Sequence, residues 1–175
     1  MSTLSFLFNC IIMSIGFQEI LSMPNLENSN SRDTILRDDY TYTLGVGAHK
    51  LHTEPRTWNE ARKICMAEGG HLAIINSAAE ERTLMDIFNQ VGPIKDSSIN
   101  DEALLGIHDQ FVEGEWITLF GDPLEQTGYS KWSDKWGGQP DNGYNASNCG
   151  AILKEGGMDD VSCKLPYGFF CELPI

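Results

Sequence analysis

Basic side chains are scarce in this sequence: 12 Lys and Arg stand against 25 Asp and Glu in 175 residues, a formal charge of −13. Phosphate contacts need clustered Lys and Arg, so the shortage argues against binding nucleic acid, or an anionic membrane surface, through a broad basic face. Long hydrophobic runs are missing too. The one uncharged apolar stretch, Leu4 to Phe17, is interrupted by Asn9 and is too short to span a bilayer comfortably. No Gly-x-Ser-x-Gly elbow occurs, Gly45-Val46-Gly47 is too short to cradle a phosphate, and no Cys-x-x-Cys suggests a zinc site. The four histidines lack metal-ligand spacing. These absences point to a protein that is not an enzyme and does not cross a membrane.

The apolar stretch at the N-terminus has the form of a secretory leader, with small residues Ser14, Gly16 and Ser22 as cleavage points, so residues 1–22 are expected to be a signal peptide. Residues 23–39, rich in Asn, Ser and charge, are expected to be a flexible polar arm, and 40–175 a single domain. The mature product is then secreted and extracellular, where disulfides persist. Of five cysteines, Cys10 falls in the leader and Cys65, Cys149, Cys163 and Cys171 remain; three pairings are open and spacing does not choose among them. Asn145-Ala146-Ser147 is an N-glycosylation sequon.

Local patterns give an α+β fold. Tyr40, Tyr42 and Leu44 alternate as in a strand, and His49 to His52 continues it after two glycines. Thr57 with Glu60 forms a capping box for a helix running to Gly69-Gly70, and Ser77 with Glu80 opens a second that buries Leu84, Ile87 and Phe88. Beyond Pro93, loops alternate with short strands at Ala103 to Ile107, Glu115 to Leu119, Cys149 to Leu153 and Phe169 to Leu173. Trp58, Trp116, Trp132 and Trp136 read as core and loop anchors rather than a ligand box, Trp136 lying close to a glycine-rich loop.

That loop carries the chemistry. Gln139-Pro140-Asp141 precedes Cys149, and Asp159-Asp160 comes shortly before Cys163. Oxygen ligands held on irregular backbone between disulfides are what a hard divalent cation such as calcium needs, which favours binding over catalysis.

The ordered set Thr57-Trp58, Ala61, Cys65, GGHLA (69–73), LLGIHD (104–109), Glu115-Trp116, Trp132, GQPDN (138–142), Cys149, DDVSC (159–163) and FFCE (169–172) resembles a C-type lectin domain, over about residues 40 to 175. In overall style it is similar to secreted arthropod hemolymph lectins, including lipopolysaccharide-binding ones. The resemblance implies two helices flanking short antiparallel sheets with a long loop-rich ligand region, and pairs Cys65 with Cys171 and Cys149 with Cys163. It implies a main calcium site at Gln139, Asp141, Asp159 and Asp160, with Ser147 where the family has Glu and Asp159 where it has Asn. Three carboxylates remain, the family's usual number. It also implies an auxiliary calcium site at Asp109 and Glu113, where Asn142 and Asn148 supply neutral ligands in place of acids.

The function so implied is calcium-dependent carbohydrate binding, with a galactose-type preference from Gln-Pro-Asp and Tyr144 placed to stack on a sugar face. Microbial surface glycans recognised in innate immunity are the expected partner. Weak single sites favour a homo-oligomer. The alternative, supported by Ser147 and Asp159, is a lectin-like domain that binds a protein or a lipid partner such as lipopolysaccharide without calcium-dependent sugar chemistry.

Overall fold

In the computed structural model of the chain, which describes residues 36–174, both helices start at the expected caps. Helix α1 spans Trp58–Ala67, and the Glu60 carboxylate accepts from both the backbone N–H and the hydroxyl of Thr57. Trp58, Ala61 and Cys65, at helical spacing, form its buried face. Helix α2 spans Ala78–Asn89, capped by Ser77 Oγ, which accepts from the Glu80 N–H at 3.2 Å. The expected signal peptide and all but the last residues of the expected arm lie outside the described residues.

The strands are β1 (Thr41–Thr43), β2 (Gly47–Arg56), β3 (His71–Leu72), β4 (Glu102–His108), β5 (Ile117–Thr118), β6 (Cys149–Leu153), β7 (Met158–Val161) and β8 (Tyr167–Leu173). They pair in the order β1-β2-β8-β4-β6-β7, with β3 added to β8 and β5 to β4. Short antiparallel sheets were expected, but the strands form one path in which β4 and β8 run parallel. The cause is topological: the last strand enters between β2 and β4 antiparallel to β2, which leaves it aligned with β4. Strand β7 carries no hydrophobic alternation and was not expected. It forms because Gly156 and Gly157, both at positive φ, turn the chain back onto β6.

Alternation in the central strands supplies both faces of the core. Leu105 and Phe170 join Leu84, Phe88 and Ile152 in one cluster, while their neighbours Leu104 and Phe169 join Ala61, Cys65 and Val161 in the other. Each such fully buried Leu or Phe stabilises by about 1.5–3 kcal/mol. A buried contact, His49 Nε2 to Glu80 Oε1 at 2.8 Å, ties β2 to α2. Cys65–Cys171 joins α1 to β8, and Cys149–Cys163 closes a 14-residue separation around β6 and β7, both as the resemblance implies.

Candidate functional site

The long segment from Trp132 to Asn148 crosses above β7 and is held by backbone contacts at its base: Ser133 N–H donates to Met158 O, and Gln139 N–H donates to Ser133 O, both at 2.8 Å. The Gln139–Pro140 peptide is cis. Asp160, on β7, accepts from the N–H of Asp141 at 2.7 Å and of Asn142 at 2.8 Å, one per carboxylate oxygen. The strand acid therefore anchors the loop acid beside it. Gln139 Oε1 also accepts from Asp141 N–H at 3.1 Å. Ser147 closes the far side of the loop, its hydroxyl donating to Gly143 O and its N–H to Asn142 Oδ1.

Gln139, Asp141, Ser147, Asp159 and Asp160 all line one cavity of about 870 Å³. Burial first, and then the Asp141 charge, push Asp160 above the ordinary carboxylate range, against the two backbone N–H donors that pull it down. Burial likewise raises Asp159, which also feels Asp160 and Asp141. Mutual repulsion of this kind, in a half-buried hollow with oxygen donors only, is what a hard divalent cation relieves, so the donor set fits calcium. The oxygens of Asp141, Asp159 and Asp160 do not all come within 4.8 Å of one another. Among the described residues that spacing is met by His49, Glu80 and Glu172, and by His52, Glu68 and Cys171. Cys171 is spent in a disulfide, and the first group is the contact between β2 and α2. Histidine spacing along the chain gave no hint of either, because strand pairing assembles them.

The expected auxiliary residues also gather. Asn148 Nδ2 donates to Asp109 Oδ1 at 3.1 Å and to Glu113 Oε2 at 3.4 Å, and Asp109 Oδ2 accepts from Gly114 N–H. Burial, Asp109 and Asp160 raise Glu113. Asn142 stands apart from that trio, its backbone N–H donating to Asp160 and its side-chain Oδ1 accepting from Ser147 N–H.

Two aromatics face the cavity from the loop, Trp136 and Tyr144, 60% and 103% exposed. Trp58 and Trp116 are buried, as expected of anchors, whereas Trp136, expected to be one as well, stands out from the loop into solvent. Asn145, the sequon residue, is exposed next to Tyr144.

Glu102 is the residue that sequence reasoning missed. It is fully buried on β4, neither carboxyl oxygen has a hydrogen-bond partner, and burial followed by the neighbouring Asp159 pushes it up to about 9. An acid opening the apolar run Ala103-Leu104-Leu105 was the available signal. Burial and the Asp159 charge both favour the neutral form of Glu102.

Residues 54–173 match the family model described as the lectin C-type domain. The chain is 44% identical over 136 residues to "Hemolymph lipopolysaccharide-binding protein" of Periplaneta americana, covering 78% of this chain and 52% of that protein. It is 30% identical over 122 residues to "Collectin-11" of Danio rerio, covering 70% and 41%. The chain thus spans about half the length of the curated relatives it matches. Among solved structures, the mouse scavenger receptor C-type lectin carbohydrate-recognition domain superposes with a TM-score of 0.64 at 23% identity, over 78% of this chain and 94% of that one. The matched domain, the two disulfides and the loop of acids over β7 converge on one assignment: this chain belongs to the C-type lectin family.

Proposed function

We propose that this chain is a secreted, calcium-dependent carbohydrate-binding lectin that recognises microbial surface glycans. The observation that carries the reading is that Gln139, Asp141, Asp159 and Asp160 share one cavity, at the end of a loop that Asp160 itself fastens. A bound calcium ion would supply coordination positions for two vicinal sugar hydroxyls. The chain's part is to supply acceptors and a donor around them: Asp141, Asp159 and Asp160 accept from the hydroxyls, and the Gln139 amide donates. That placement of the amide before the proline, with a carboxylate after it, favours a galactose-type arrangement of hydroxyls, and Tyr144 offers a face for the sugar ring. The name of the Periplaneta americana relative, which is a hemolymph lipopolysaccharide-binding protein, supports both a secreted setting and a bacterial glycan as target. Single sites of this type are weak, so useful capture relies on several copies engaging one surface.

Ser147 and Asp159 favour a second reading, in which the fold has kept its loop but lost sugar coordination and binds a lipid or protein partner. Retention of the refolded chain on galactose, mannose and lipopolysaccharide matrices, with calcium and then with chelator, separates the two. Release from a sugar matrix by chelator is expected. Retention on lipopolysaccharide alone, indifferent to chelator, would support the second reading.

A further inference from the structure

We propose that the cavity holding the carboxylates also takes the acyl chains of a glycolipid, so that the ligand is an amphiphile whose sugar and lipid parts are gripped together. This rests on the glycan-binding reading above and names which part of a bacterial glycolipid the remaining space accommodates. At about 870 Å³ the cavity lies near the top of the roughly 300–1,000 Å³ range of pockets that enclose a drug-sized ligand, far more than one sugar ring needs. The acids share its lining with the apolar side chains of Ile99, Val161, Leu165 and Tyr167, and with Ala146 of the loop.

Those apolar groups are held open. Ile99 and Leu165 sit on different loops, 40% and 48% exposed, yet the loops are stitched together where Ser98 N–H donates to Pro166 O at 2.8 Å. Ser97 Oγ fixes the first loop by donating to Ile99 O at 2.7 Å, and Cys149–Cys163 fixes the second next to Leu165. Of the eleven large hydrophobic side chains exposed among the described residues, four, Ile99, Trp136, Tyr144 and Leu165, line this single cavity. Such a concentration marks a site that an apolar group covers. Two features select a lipid bearing a sugar head. The apolar walls are continuous with the acid cluster, so a ligand fixed there by its hydroxyls lays its next segment along them. Lys164 is the one cation in the lining, on the same loop as Leu165, where it matches the phosphate carried by the acylated sugars of lipopolysaccharide.

The test compares intact lipopolysaccharide with the same material stripped of its acyl chains by alkali, both binding to the full chain in calcium. Wild type is expected to bind the intact form at least tenfold more tightly. Intact lipopolysaccharide aggregates and gains avidity, so the deciding comparison uses L165D, and I99S on the facing wall as a second variant. Both side chains are exposed, so the fold should tolerate either change. Each is expected to bring the two affinities within about twofold while chelator-sensitive binding of the deacylated form stays unchanged. Equal wild-type affinities, or variants that keep the wild-type preference, would overturn the proposal, and so would variants that only dissociate a dimer of this chain. Failure of the deacylated form to bind in calcium, with the variants still abolishing binding of the intact form, would instead sink the sugar reading and uphold the lipid one.

Discussion

Asp160 does two jobs that pull apart under mutation. Its oxygens hold the loop through Asp141 and Asn142, and the same oxygens are proposed calcium ligands. Asp160→Asn should therefore weaken calcium binding at least tenfold, whereas Tyr144→Ala should leave calcium binding within twofold and reduce sugar affinity; calorimetric titration of both variants reads the ranking directly. Because Asp159 and Asp160 are raised above the ordinary range, protonation competes with the ion sooner than for exposed acids. Calcium affinity should accordingly fall as pH drops from 7 toward 5, and a flat profile over that interval would mean other groups hold the ion. Glu102 works in the opposite direction on stability. Its folded pKa of about 9 exceeds the unfolded value, so the unfolded chain loses this proton first and stability falls as pH rises from about 4.5 to about 9. In chelator, Glu102→Gln should be more stable than wild type at pH 7.5, with the advantage shrinking by pH 5 in denaturant titrations. An advantage independent of pH would assign the effect to packing rather than to ionisation.

At the level of elements, what could be read from the sequence was what neighbours in sequence determine. Both helices begin where Thr57 and Ser77 place them, because a cap and its acid lie three residues apart. Strand β6 begins and ends at the expected residues, while the strand expected from Glu115 to Leu119 shortens to Ile117–Thr118, since the chain turns back at once, Gly121 N–H donating to Thr118 O and Thr118 N–H to Asp122 O. Strand β7 and the parallel pairing of β4 with β8 were hidden because they depend on partners far along the chain. The same reason hid Glu102, whose perturbing neighbour is Asp159, and the trough between Ile99 and Leu165. The Gln139-Pro140-Asp141 loop was visible because its chemistry is contiguous. Gly106, in the middle of β4, shows how tightly these elements meet: a Cβ there would lie 2.5 Å from Leu72 O and 2.7 Å from a Leu119 methyl. Gly106→Ala should destabilise the fold by about 1–3 kcal/mol, the usual cost of overpacking, measurable as a lowered denaturation midpoint.

For the whole molecule, the two disulfides divide the labour of holding site to scaffold. Cys65–Cys171 closes a separation of 106 residues and Cys149–Cys163 one of 14, so chain entropy predicts about 5 and about 3 kcal/mol of stabilisation respectively. Replacing Cys65 and Cys171 together by Ser should lower stability more than replacing Cys149 and Cys163, while only the second pair, which borders β7 and the loop after it, should also impair ligand binding. Whether Asp141, Asp159 and Asp160 form a working cation site at their spacing is answered by titrating calcium into the metal-stripped chain at pH 7.5, alongside the D141N/D160N double variant. Saturable binding by wild type that the double variant loses is the predicted result; no binding, or equal binding by both, would contradict it.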